Sequence, residues 1–263
     1  MPLIFLDANI YLEGYYLRRA QNILECILTM EKDIFIPFQT RNEVVRNRHK
    51  RTLQLLNENN NSNIAPLPDL LSSYALIDDP TLKEEENDLN QKLKEYQYRA
   101  KEILSQTVND VCKGYDYVSK IYEKIFSKAQ TYSFKELKNA RIRKELGNPP
   151  GKSSDPLGDQ LVWEQLLSTA KNGEDIWIVS NDEDFIFTYT KKEYFLNPYL
   201  YEELKNNYPD SNIRIFKSLP ETFKKYKETY KVLEKDLPSK EDLEIAQEEI
   251  EAFREESKCQ ELG

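Results

Sequence analysis

Three short, wholly apolar runs separated by stretches of helical periodicity constrain this chain more than any other feature. Leu3-Ile4-Phe5-Leu6, Ile34-Phe35-Ile36 and Ile176-Trp177-Ile178-Val179 contain no polar residue to turn toward water. Strands buried on both faces of a parallel sheet have that composition. Between the first two runs, Ile23, Leu24, Ile27 and Leu28 recur at helical spacing, with a stop near Lys32-Asp33. Pro37 ends the second run, and Gln39 to about Asn57 reads as a helix carrying Val44, Val45, Leu53, Leu55 and Leu56. Strand, helix, strand, helix is the pattern of an α/β chain with a central parallel sheet flanked by helices.

The pattern is then interrupted. Residues 57 to 80 are rich in Asn, Ser and Pro and read as a loop. From Thr81 to about Phe126 the apolar residues Leu89, Leu93, Tyr96, Ile103, Leu104, Val108 and Val111 suit one or two long helices projecting from the sheet core. A basic helix, Phe134 to Leu146, ends at Gly147-Asn148-Pro149-Pro150-Gly151. Asp155-Pro156 suits the N-cap and first position of a helix from Leu157 to about Asn172. A helix from about Pro198 to Asn207 precedes a last strand, Ile213 to Phe216. Residues 1–217 therefore form the expected main domain, with 58–146 as a mainly helical insertion. Residues 218–263 form a helical, acidic C-terminal extension, in which Ser239 and Asp242 suggest a capping box and Leu243, Ala246, Ile250 and Phe253 an apolar stripe. The stripe packs on the body or serves a protein partner.

Charge narrows the function classes. The net charge of -9 is an odd balance for a protein that binds a polyanion. Residues 234–263, however, hold 11 acidic and 4 basic residues, so most of the excess lies there. Arg41, Arg46, Arg48, Lys50 and Arg51 make one basic patch, and Lys135, Lys138, Arg141, Arg143, Lys144 and Lys152 a second. If the acidic extension shields these patches, truncation after Leu233 tightens binding of a polyanion at low salt. The three cysteines, Cys26, Cys112 and Cys259, are scattered and lack zinc-site spacing. With no membrane-length apolar run and no basic leader, the expectation is a soluble cytoplasmic protein with reduced thiols.

The acidic residues carry the chemistry. Asp7 ends the first strand, Asp182 and Asp184 follow the third apolar run, and Glu43 and Asp159 lie in early turns of helices. In a parallel sheet, groups beyond the carboxyl ends of the strands share one crevice. Carboxylates gathered there repel one another unless protons or cations neutralise them. Hard divalent ions, Mg²⁺ or Mn²⁺, suit an all-oxygen donor set; the lone His49 and the dispersed cysteines do not make a zinc site. Such a site suits phosphodiester hydrolysis by an activated water.

Phe5-Leu6-Asp7-Ala8-Asn9-Ile10-Tyr11, Arg41-Asn42-Glu43-Val44, Gly158-Asp159 and Val179-Ser180-Asn181-Asp182-Glu183-Asp184-Phe185 resemble, in order and strand context, the successive acidic motifs of PIN domains. The long helical insertion before Gly147-Asn148-Pro149-Pro150-Gly151-Lys152 resembles that of an uncharacterised bacterial PIN-like subfamily. The resemblance spans about residues 1–217. It implies a Mg²⁺- or Mn²⁺-dependent nuclease, usually acting on RNA. Asp7, Glu43, Asp159 and Asp182 match the metal-binding acids, Asp184 an accessory acid, and Asn9 and Ser180 the small polar residues that support them. The insertion departs from the compact toxin nucleases, so their dimer and antitoxin behaviour is not carried over.

Plainer readings stand beside these. Asp7 suits a helix cap, Glu43 a pair with Arg46 or Asn47, and Asp182 and Asp184 turn formers. Asp155 suits an N-cap and Glu164 a solvated helix position. Lys152, with Arg141 or Arg143, suits a phosphate contact or ordinary surface charge, and Arg46 and Arg48 suit backbone tracking. The tyrosines from 96 to 132 suit packing more than base stacking. Gly151-Lys152-Ser153 lacks the frame of a P-loop. Two other functions compete: a catalytically inactive nucleic-acid-binding or scaffolding module, and a phosphatase of the haloacid dehalogenase type, which expects an aspartate where Asn9 stands.

Overall fold

The computed structural model describes residues 2–17, 22–59, 80–151, 157–190, 193–230 and 237–261. In chain order the elements are β1 (Leu3–Leu6), α1 (Ala8–Glu13), α2 (Asn22–Cys26), β2 (Ile34–Phe35), α3 (Phe38–Asn59), α4 (Pro80–Lys113), α5 (Tyr117–Phe126), α6 (Phe134–Glu145), α7 (Gly158–Thr169), β3 (Ile176–Val179), β4 (Ile186–Thr188), β5 (Tyr194–Leu196), α8 (Pro198–Asn207), β6 (Ile213–Phe216), α9 (Leu219–Tyr230) and α10 (Lys240–Glu261). The chain divides into two compact units: Met1–Arg48 with Tyr117–Gly263, and His49–Asp116.

The first unit is built on a four-stranded sheet of order β2-β1-β3-β6. All three pairings are parallel, with Phe5 level with Phe35 and Ile178, and Ile178 level with Ile215. The expected α/β fold, a central parallel sheet flanked by helices, is therefore present. Alternation along the strands divides the core. Ile4, Leu6, Trp177 and Val179 face one layer with α1, α2, α5, α9 and α10; Phe5, Ile176 and Ile178 face the other with α7 and α8. Each of these large apolar side chains contributes roughly 1.5–3 kcal/mol by burial, which is why the runs contain no polar residue.

Several elements differ from the sequence expectation. The helix over Ile23–Leu28 breaks into α2 and a 3-10 turn, Ile27–Met30. Helix α7 starts at Gly158 with Leu157 as its N-cap, so Asp155 is not the cap; Asp155 and Pro156 lie outside the described residues. The hairpin of β4 and β5 has no counterpart in the expectation. The expected loop over 57–80 falls largely outside the described residues.

The run from Thr81 to Phe126 is two helices parted at Gly114, whose φ of 75° suits glycine. In the second unit, α4 half-buries Leu93, Leu104 and Val108 and exposes Leu89, Tyr96 and Ile103. In contrast, α5 and α6 pack within the first unit. Tyr122 of α5 donates a hydrogen bond to the Tyr11 carbonyl at 2.8 Å. Arg143 of α6 is buried between Glu164 and Glu203.

The acidic extension is also part of the first unit. From α9, Phe223 is buried, Tyr226 donates to Asp33 at 2.5 Å and Tyr230 donates to Asp175 at 2.7 Å. Helix α10 carries the expected capping box between Ser239 and Asp242. It buries Ala246 and Ile250 and stacks Phe253 on Tyr16. Among the described residues its apolar stripe is thus packed on the body. Among the described residues no helix is long and apolar enough to cross a membrane, and Cys26 and Cys112 form no disulfide.

Candidate functional site

Asp7 follows β1 directly, and its amide donates to the Val179 carbonyl at 2.9 Å, extending the β1–β3 ladder by one rung. Its backbone is extended (φ -65°, ψ 155°) and it is the N-cap of α1, one carboxylate oxygen accepting from the Ala8 amide at 2.7 Å. The plain reading of Asp7 as a helix cap is therefore observed, and the cap uses one carboxylate oxygen. Across the sheet edge, β3 delivers Ser180, whose amide donates to the Phe216 carbonyl at 3.0 Å. Ser180 is fully buried. Its hydroxyl donates to the other Asp7 oxygen at 2.9 Å and accepts from the Asp182 amide at 3.1 Å. The Asp182 carboxylate in turn accepts from the Asp184 amide at 2.9 Å. One serine hydroxyl thus ties the end of β1 to the turn after β3, and Asp182 acts as a turn former as well as an acid.

Glu43 lies in the second turn of α3, and Asp159 in the first turn of α7. Both are half-buried. Electrostatics tie them to the same place. Asp7 keeps some accessible surface, but protein crowds its carboxyl group, and this burial is the chief cause pushing its pKa up to about 8. The Ser180 hydrogen bond opposes the rise, while the charges of Asp159, Asp182 and Glu43 reinforce it. Glu43 is also raised, by burial first and by Asp182, with Arg46 pulling the other way. The plain reading of Glu43 as a partner of Arg46 captures one of these influences.

Four carboxylates therefore share one electrostatic field. Among the described residues, no three acidic, histidine or cysteine side chains are drawn together as a ready-made cation cage. The donor chemistry fits a hard divalent ion nonetheless: every candidate ligand is a carboxylate, and Asp7 stays protonated near neutrality when no cation is there to neutralise the cluster.

The remaining expected site residues separate. Asp184 is half-buried beside Asp182, and Asn9 is half-buried in the first turn of α1. Of Asn9 and Ser180, only Ser180 is seen among the described residues in a hydrogen bond to a site acid. Arg46 is exposed and acts on Glu43; Arg48 reaches Ser119 at 3.4 Å. Arg141 is exposed on α6, while Lys152 lies outside the described residues.

Arg143 is not available to a phosphate. It is 5 % exposed and its guanidinium holds Glu164, Glu203 and the Pro149 carbonyl. Glu164 is accordingly an ion-pair partner and not a solvated helix residue. The tyrosines expected to pack are mostly outside: Tyr96, Tyr98, Tyr115, Tyr117 and Tyr132 are exposed, and Tyr122 is buried.

Sequence reasoning passed over Glu13 and Asn181. Glu13 is buried at the end of α1, and its carboxylate accepts from the Asn181 side chain at 2.6 Å. A lone acid among the apolar residues of Ala8–Glu13 was the available signal.

The sequence model of the PIN domain family matches residues 4–185, a span that holds Asp7, Glu43, Asp159, Asp182 and Asp184. No curated protein and no solved structure matches the chain. With more than half of its residues matched, and with its acids carried on the carboxyl edge of a parallel sheet, the chain belongs to the PIN domain family.

Proposed function

We propose that the protein is a metal-dependent nuclease that hydrolyses phosphodiester bonds, with RNA as the substrate cut internally. PIN domains are generally nucleases that use divalent metals. The observation that carries the reading for this chain is the carboxyl group of Asp7, raised to about 8 by burial and by Asp159, Asp182 and Glu43 around it. A buried carboxyl group whose ionisation is opposed by neighbouring acids is suited to a cation, which relieves that opposition.

In this reading Asp7, Glu43, Asp159 and Asp182 hold Mg²⁺ or Mn²⁺, with Asp184 as an accessory acid. The chemistry that a bound divalent ion supplies is Lewis acidity, which activates a water and offsets charge developing on the phosphate. The chain's own residues supply placement. Ser180 Oγ fixes one oxygen of Asp7 and, by accepting the Asp182 amide, sets the turn that carries Asp182. The Ala8 amide fixes the second oxygen of Asp7. Arg46 and Arg48, with Arg141 and Lys152, supply positive charge for the nucleic-acid backbone.

The test compares wild type with Asp7→Asn, by calorimetry with Mn²⁺ and by incubation with labelled structured RNA, single-stranded RNA and DNA. We expect Mn²⁺ binding and internal cleavage of RNA by wild type, with cleavage lost in the variant. Wild type that neither binds Mn²⁺ nor cuts above the variant overturns the reading in favour of a nucleic-acid-binding scaffold.

A further inference from the structure

The C-terminal extension reaches the elements that carry the candidate acids through the side chain of Arg254. Arg254 of α10 places Nε 2.7 Å and Nη2 2.6 Å from Glu13 Oε1, and the same Nη2 donates to the Lys217 carbonyl at 2.7 Å. Glu13 Oε1 also accepts from the Asn181 side chain. Glu13 closes the helix that Asp7 opens, and Asn181 lies between Ser180 and Asp182. Lys217 immediately follows β6. The guanidinium therefore joins the segment after β1 to the end of β6 and, through the Glu13 carboxylate, to the turn after β3.

A carboxylate as enclosed as Glu13, 5 % exposed, is tolerated only with a counter-charge and donors. The counter-charge comes from a residue 241 positions away. Helix α10 is held firmly enough to deliver it. Ala246 and Ile250 are buried, Phe253 stacks on Tyr16 with ring centroids 3.6 Å apart, and Ser218 donates to Gln247 at 2.7 Å.

We propose that Arg254 is a positioning residue for the acid cluster: through Glu13 it holds the Asn181 side chain, and so fixes the turn that carries Asp182. The extension is then a working part of the nuclease site. This inference rests on Asp182 being a site acid. Outer contacts of this kind orient the ligating groups, and losing them typically costs about tenfold or more in metal affinity.

The test uses the full chain without metal. Hydrogen exchange is followed in peptides covering residues 181–185 and residues 240–250, alongside the melting temperature and Mn²⁺ affinity by calorimetry. Arg254→Ala orphans the Glu13 charge and can unfold the protein, so the deciding variant is Glu13→Gln with Arg254→Met, which removes both charges and keeps the volumes close. We expect this double variant to stay folded, to exchange at least about tenfold faster over 181–185, and to bind Mn²⁺ about tenfold more weakly. Arg254→Lys, which keeps the charge and loses the fork, falls between it and wild type. Unchanged exchange over 181–185 with faster exchange over 240–250 overturns the inference and reduces Arg254 to an anchor for α10. Wild type that fails to bind Mn²⁺ overturns the nuclease reading separately, because the exchange comparison needs no metal.

Discussion

At the scale of single residues, Asp7 sets a sign for the pH dependence of stability. Its pKa rises from the ordinary 3.8 to about 8 on folding, through burial first and its acidic neighbours second. Between those values the folded chain keeps a proton that the unfolded chain has released, so this contribution is complete below 3.8 and is lost as pH rises to about 8. Asp7→Asn removes the dependence. In metal-free buffer at pH 7.5 the variant is expected to melt above wild type, with the gap closing toward pH 4; thermal scans across that range check it, and a lower melting temperature at pH 7.5 contradicts it. The placement of Asp7 and Asp182 was legible in the sequence because each lies within three residues of the end of a wholly apolar run, which marks a strand end. Arg143 and Glu13 were not, because what buries a charge is its partner, and here the partners are up to 241 positions away.

At the scale of elements, the junction between α1 and α5 is tight. Gly14 follows α1, and a Cβ there would lie 2.0 Å from the Tyr122 hydroxyl and 2.9 Å from a Leu24 methyl. The hydroxyl is held by its bond to the Tyr11 carbonyl, so it cannot simply step aside. Gly14→Ala is expected to cost about 1–3 kcal/mol by overpacking, read as a lower urea midpoint with an unchanged slope. The contact of α6 with α7 and α8 depends on Arg143, whose partners Glu164 and Glu203 are 11 % and 24 % exposed. Arg143→Met leaves both acids without their cation and is expected to cost about 3–5 kcal/mol. A double variant with Glu164→Gln should recover part of that loss in the same titration. The buried strands were legible from composition alone. Strands β4 and β5 were not, since three residues each are too few to show an alternation, and only their pairing, Phe187 against Phe195, defines them.

At the scale of the whole molecule, the acidic extension changes meaning. Its charge suggests a mimic of nucleic acid that covers basic patches, whereas the structure seats α10 on the body through Ala246, Ile250 and Phe253. Truncation after Leu233 is therefore expected to lower the melting temperature and to raise binding of an apolar dye. Tighter RNA binding without those changes would favour the shielding role. The order β2-β1-β3-β6 has a further consequence. Strand β1 is made before β2 and β3 but lies between them, and the Asp7 that follows it meets Ser180 only after 173 more residues have been joined. At roughly 5–20 residues per second, many seconds pass during which a nascent chain carries Asp7 without Ser180. Under the nuclease reading, a chain built this way has no assembled acid cluster until the segment through Asp184 has been translated.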